Sequence, residues 1–218
     1  MANASAPNAS GLPCVGTAGT SLPADLGLCS LELTLPLQAV RPAIQTWLRE
    51  ILGTSTGDNP AMLLLAEGPH GKPYLTDKHG VPRPPAFNLS HSGNVAVLVV
   101  SSIGRHVGVD IEIPKPGRDL LRLVDGFLSP AEQAQLPDVP QGDLQMWLLR
   151  RWSAKEAVAK AWGLGLSAGL RRIEIADGQP PTWRAVEGLQ PPEGEWRLAE
   201  LEVPGGVGWL AWDDGEPT

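Results

Sequence analysis

Asp110 and Glu112 stand two positions apart in Val107-Gly-Val-Asp-Ile-Glu112. In a strand both leave the same face, about 7 Å apart along the chain. Paired carboxylate oxygens suit a hard divalent cation; the plain alternative is a solvated strand face. Three features favour a site. Val107, Val109, Ile111 and Ile113 make the opposite face apolar, so the strand is expected to be internal. Gly108 leaves room for something to approach the polar face. A third carboxylate, Glu156, lies in Arg151-Trp-Ser-Ala-Lys-Glu-Ala-Val-Ala-Lys-Ala-Trp162. Glu156 and Lys160 are four residues apart and share a helix face; as a surface pair they would be worth only about 0.3–0.5 kcal/mol. Lys155 points to another side of the same helix. The chain has five lysines, and two of them fall in this segment.

Two weaker signals accompany these. Ser90-His91-Ser92-Gly93 closes a strand, and His91 there could bind an anion or move a proton. Gly71-Lys72-Pro73 sets one cation in a rigid turn. A structural histidine and an ordinary loop lysine are the plain alternatives. There is no Walker loop, no dinucleotide-binding glycine motif, no nucleophile elbow and no His/Cys metal cluster in the sequence.

The elements that must position these residues read as α+β. Residues 1–30 are small and polar and are expected to form a loose arm. Helical spacing runs from Gln38 to Leu52, with Gly53 as a stop. Met62 to Ala66 reads as a buried strand, Gly68 to Pro73 as a turn and Gly80 to Pro85 as a loop. Ala86–Leu89 and Val95–Ser101 read as strands around a Ser-His-Ser-Gly turn, followed by the strand over 107–113. Ser129-Pro-Ala-Glu132 carries a capping box. The longest helical pattern is Leu144–Trp162, ending at Gly163 and Gly165. Residues 171–212 alternate in pieces, as three or four antiparallel strands.

Composition bounds the rest. The 218 residues have a net charge of −7, with 25 Gly and 22 Pro. A nucleic-acid footprint is excluded on charge, and an anionic ligand then needs a local basic cluster or a metal. The longest apolar run, Val95–Val100, is too short for a membrane span. No Lys or Arg precedes Arg41, so the basic start of a signal peptide is missing and a cytoplasmic protein is expected. Cys14 and Cys29 are then expected to be reduced, and the sequons at Asn3 and Asn8 to be chance.

Taken together the motifs resemble the 4′-phosphopantetheinyl transferases, in the pseudodimeric surfactin-synthetase-activator type. The matching blocks run in family order: Gly71-Lys72-Pro73, Phe87 to Gly93, Val107 to Glu112, Phe127 to Glu132, and Trp152 to Lys160 followed by Gly163-Leu-Gly-Leu166. The resemblance implies two similar α/β halves, 31–102 and 103–218, related by a pseudo-twofold, with the active site in the cleft between them. It implies that Asp110, Glu112 and Glu156 bind Mg²⁺ (or Mn²⁺) and that Ser90 and His91 hold the coenzyme A phosphates. Lys72, Lys155 and Arg41 would contact phosphates too. Glu156 would be the general base, with Lys160 beside it and His91 completing the catalytic group. The partner implied is an apo acyl or peptidyl carrier protein, with coenzyme A as substrate and a monomeric enzyme. Arg118 and Arg122 are candidates for the docking patch. Two other readings stay open: a non-catalytic coenzyme A-binding module, and another Mg²⁺-dependent nucleotide enzyme, which would need a phosphate loop.

Overall fold

A computed structural model of the chain describes residues 3–4, 17, 20–164, 169–178 and 180–215. In chain order the strands are β1 (Asn3–Ala4), β2 (Leu26–Glu32), β3 (Leu64–Glu67), β4 (Pro73–Thr76), β5 (Ala86–Ser92), β6 (Val95–Ser101), β7 (Val107–Glu112), β8 (Ile173–Ala176), β9 (Thr182–Ala185), β10 (Trp196–Leu201) and β11 (Val207–Asp213). The helices are α1 (Leu37–Thr56), α2 (Val124–Phe127), α3 (Pro130–Gln133) and α4 (Leu144–Trp162). One sheet has the order β1-β2-β6-β5 and a second β10-β11-β7, while β3-β4 and β8-β9 form separate hairpins. Every pairing is antiparallel.

Strand β6 explains the layering. It is buried on both faces, as an unbroken apolar run requires. Ala96, Leu98 and Val100 pack against Val40, Ile44, Leu48 and Leu52 of α1. Val95, Val97 and Val99 pack against Val107, Val109 and Ile111 of β7 and Leu210 of β11. The far face of the second sheet, through Trp209 and Ala211, meets Ala154, Ala157, Val158 and Ala161 of α4. The order is therefore helix, sheet, sheet, helix. None of the described helices is long and apolar enough to cross a membrane.

Several boundaries differ from the sequence reading. The expected loose arm ends early, because Leu26–Glu32 form an inner strand of the first sheet with Leu26, Leu28 and Cys29 buried. Cys14, Asn8, Gly165 and Leu166 lie outside the described residues. Gly53 does not stop α1, which runs to Thr56 and ends at Gly57 with φ 76°. Gly53 is needed for packing: a methyl group there would stand 2.7 Å from Pro60 Cγ. The apolar run at 62–66 is not a buried strand, since Met62 is 73% exposed and β3 is shifted to 64–67. The turn expected to run to Pro73 stops before it, because Pro73 opens β4. Ser90, His91 and Ser92 belong to β5, and the turn sits at Gly93 and Asn94.

Helix α4 matches its expected span, and Gly163 closes it with φ 71°. Among the described residues the tail holds four strands. The capping box at Ser129 and Glu132 is present.

Candidate functional site

The site begins with a seam between two sheets. Strand β7 is an edge strand of its sheet by hydrogen bonding, not the internal strand expected. Its outward N–H groups are taken by side chains of β5, the edge of the other sheet. Val109 N–H donates to Asn88 Oδ1 (2.9 Å), Ile111 N–H to Ser90 Oγ (3.2 Å) and Ile113 N–H to Ser92 Oγ (3.0 Å). The constant offset of 21 residues means the two strands run parallel. The hydroxyls also donate onward: Ser90 to Asp110 Oδ1 (3.0 Å) and Ser92 to Glu112 Oε2 (3.3 Å). Polar side chains thus satisfy an edge that must be buried, and they orient both carboxylates.

Helix α4 covers the polar face of β7. A methyl group at Gly108 would stand 2.1 Å from Ala157 O and 2.3 Å from Ala161 N. The room Gly108 leaves is therefore filled by helix backbone, not by a ligand. The close approach lets Ser153 Oγ donate to Asp110 O (3.0 Å) and Lys160 Nζ to Asp110 Oδ1 (2.7 Å) and Val109 O (3.1 Å). Glu112 pairs with Arg118 (2.9 Å), whose guanidinium lies over Trp152, 5.4 Å from the ring centre. Of the two arginines expected to dock a partner, Arg118 turns into the site; Arg122 pairs with Asp119 on the surface.

The electrostatics show which groups face one another. Burial raises the Asp110 carboxyl above its usual range, although Lys160 pulls it down. Glu156 is pushed up to about 7, first by burial and then by the Asp110 charge, with a smaller push from Glu112. His91, exposed on β5, is lowered by burial and then by the positive charges of Arg41, Lys115 and Lys160. Arg41, Lys115 and Lys160 thus gather positive charge around His91, and Lys160 also faces the carboxylates. Lys115 was missed in the sequence, because it is isolated in a Pro-rich loop.

Two oxygens are left over. Asp110 Oδ2 and Glu156 Oε1 are buried without a hydrogen-bond partner. Buried polar atoms are nearly always paired, and hard carboxylate oxygens fit a divalent cation. Among the described residues, no three His, Cys, Asp or Glu stand close enough together to hold a metal ion, so Asp110, Glu112 and Glu156 do not close on one point as expected. Asp110 Oδ2 and Glu156 Oε1 are hard donors of the kind a divalent cation takes, and a cation there would need its remaining oxygens from a ligand.

The lysines divide. Lys160 belongs to the group. Lys72 donates to Val107 O and Lys160 O (2.8 Å each), tying the β3–β4 turn to the end of α4. It also lines a cleft of about 510 Å³ with His70, Phe87 and His106. Lys155 is not brought to the site. It is fully buried on another side of α4, where Nζ donates to Phe127 O (2.6 Å) and pairs with Glu132. Its neighbours are apolar or already paired, so the phosphate contact expected of it has no path.

Residues 106–207 match the 4′-phosphopantetheinyl transferase superfamily. Among known proteins, the 4′-phosphopantetheinyl transferase HetI of a Nostoc species is 39% identical over 154 residues, covering 71% of this chain and 62% of that protein. A 4′-phosphopantetheinyl transferase of Bacillus subtilis is 32% identical over 149 residues, 62% of each chain. The 4′-phosphopantetheinyl transferase AcpT of Escherichia coli is 34% identical over 125 residues, 56% of this chain and 60% of that one. The chain thus matches between half and two thirds of the length of such relatives.

Proposed function

We propose, for a chain that belongs to the 4′-phosphopantetheinyl transferase superfamily, that it moves the 4′-phosphopantetheine group from coenzyme A to a serine of an apo acyl or peptidyl carrier protein. Adenosine 3′,5′-bisphosphate is released. The observation that carries this reading is the pair of unpartnered buried oxygens, Asp110 Oδ2 and Glu156 Oε1, beside Lys160 and the positive charge gathered around His91.

In the reaction the serine oxygen forms a bond to the phosphorus that bears pantetheine. The bond from that phosphorus to the bridging oxygen breaks, and the bisphosphate leaves. The serine proton passes to Glu156, the carboxylate beside the reacting group that can accept it. A divalent cation, Mg²⁺ or Mn²⁺, held by Asp110, Glu112 and Glu156 would supply charge neutralisation at the pyrophosphate. Ser90 orients Asp110, and Lys160 sets a fixed positive charge against the same carboxylate. Arg41, His91, Lys72 and Lys115 hold phosphate oxygens. In this reading the site lies between two halves, 31–102 and 103–218, of a monomeric cytoplasmic enzyme.

The test is incubation with coenzyme A, Mg²⁺ and a panel of apo carrier domains, read by intact mass. A mass gain of one phosphopantetheine on a carrier is expected. Coenzyme A binding without any transfer would instead make the chain a non-catalytic binding module; neither binding nor transfer would end the reading.

A further inference from the structure

The most deeply buried ion pair in the described residues lies away from the catalytic group. Glu132 and Lys155 are both fully buried. Glu132 Oε2 accepts Ser129 N–H (2.8 Å) as well as Lys155 Nζ. Its Oε1 accepts Ile175 N–H (3.0 Å) and lies 3.8 Å from Arg151 Nε. One carboxylate therefore ties the start of α3, strand β8 and two successive turns of α4. Arg151 extends the tie by donating to Asp177 (2.8 Å) and lying over Trp147, 4.7 Å from the ring centre.

Stability alone is a poor reason for this arrangement, since apolar replacements of buried ion pairs are often neutral or stabilising. Its directional bonds do something else. Lys155 and Glu156 are adjacent and leave the helix about 100° apart. Fixing Lys155 against α3 and β8 therefore fixes the rotation of α4 about its axis. That rotation decides whether Glu156 and Lys160 face β7. A turn of about 20° would carry a group 5–6 Å from the axis by about 2 Å. Misplacement by about 1 Å can cost about 10²-fold in rate.

We infer that Glu132 and Lys155 are positioning residues of the transfer reaction, setting the rotation of α4 that presents Glu156 and Lys160 to Asp110 without touching coenzyme A. The inference rests on the transferase reading above. It reassigns Lys155 from ligand contact to scaffold.

The test uses Lys155→Met, Glu132→Gln, the double variant and Glu132→Asp in the full chain. Melting temperature, kcat and KM for coenzyme A are measured, and the double variant is crystallised. Glu132→Gln strands the Lys155 charge and Lys155→Met leaves Glu132 only the more distant Arg151, so each single variant should melt lower. The double variant, with both charges gone, should melt near wild type. Its kcat should stay down about 10–100-fold, with KM for coenzyme A within about twofold. Glu132→Asp keeps both charges but shortens the tie by one methylene; it should also lower kcat more than it raises KM, and it serves if the double variant does not fold. Wild-type kcat in either variant overturns the inference. So does a raised KM with kcat retained, which would return Lys155 to the phosphates. If the wild-type protein transfers to no carrier, the function reading fails separately. The crystal structure then decides: Ser153 and Lys160 still bonded to Asp110 in the double variant would overturn the inference, and their displacement would support it.

Discussion

Helix α4 carries two lysines five residues apart, each set on a buried carboxylate from another element. At Lys155–Glu132 both side chains are 0% exposed; at Lys160–Asp110 they are 26% and 9% exposed. Glu132 has partners on both oxygens. Asp110 has Lys160 and Ser90 on one oxygen and nothing on the other, and Glu156 beside it has an empty oxygen too. The residue types are alike, yet one pair is closed and the other is left incomplete. A carboxylate with both oxygens satisfied, as at Glu132, marks a group that holds the fold. Buried acceptors without donors mark the place where a ligand has to supply the rest.

The largest effect expected from breaking this contrast is at Asp110. Asp110→Asn keeps the shape and removes the charge. Transfer should fall about 10³-fold or more, the scale of losing preorganised charge stabilisation. The melting temperature should not fall, because the buried carboxyl is already raised above its usual range and its charge is costly to the native state. Intact-mass rates and thermal melts check both halves, and near-normal turnover would sink the assignment. The matching change at the closed pair, Glu132→Gln, should do the reverse in stability. Stranding Lys155 should cost about 3–5 kcal/mol, read by chemical denaturation. A loss under about 1 kcal/mol would mean that the two pairs are not different in kind.

A smaller effect sharpens the same contrast at the seam. Ser90→Ala leaves the Ile111 N–H without its acceptor and Asp110 without one donor. The cost should be about 1–3 kcal/mol, with a parallel drop in rate because Asp110 loses its orientation. A stable variant with unchanged rate would show that water replaces the hydroxyl freely.

How much of this was legible depended on whether the signal was local. The span of α4 and the capping box at Ser129 were readable because helix periodicity and caps are sequence-local. That Asp110 and Glu112 share one face of β7, and that Glu156 of α4 comes near them, was readable in part, because strand and helix spacing put each on a definite face. What failed was long-range. Nothing near Lys155 announces that Glu132, 23 residues earlier, will meet it, so the phosphate contact that the resemblance implies for Lys155 had nothing in the sequence to oppose it. Gly108 signalled close approach, but the sequence could not say that the visitor is the backbone of α4. Strand β2 was hidden because glycine and serine dilute its leucines, and its partner is Val95–Ser101, far along the chain. The Asn88-x-Ser90-x-Ser92 alternation is a usable sign of the seam, but His91 and Gly93 beside it make the same residues read as an anion-binding turn.

The smallest effect tests the third lysine of the group by pH. Lys72 is pushed down to about 8, by burial first and by the Lys160 charge second. Unfolded, it titrates near 10.5. Below pH 8 both states hold the proton, and the native state bears the full burden of a desolvated charge. Between about 8 and 10.5 the unfolded chain binds more protons than the native one, so stability contributed at this site rises with pH. The slope can reach at most about 1.4 kcal/mol per pH unit. The neutral amine still has hydrogens for Val107 O and Lys160 O, so the tie survives deprotonation. Lys72→Met removes both the tie and the titration. Denaturation of the two proteins at pH 7.5, 8.5 and 9.5 should therefore show wild type gaining on the variant as pH rises. Parallel pH dependence would show that Lys72 is solvated in the folded protein and only brushes the end of α4, leaving the contrast between closed and open lysines resting on Lys155 and Lys160 alone.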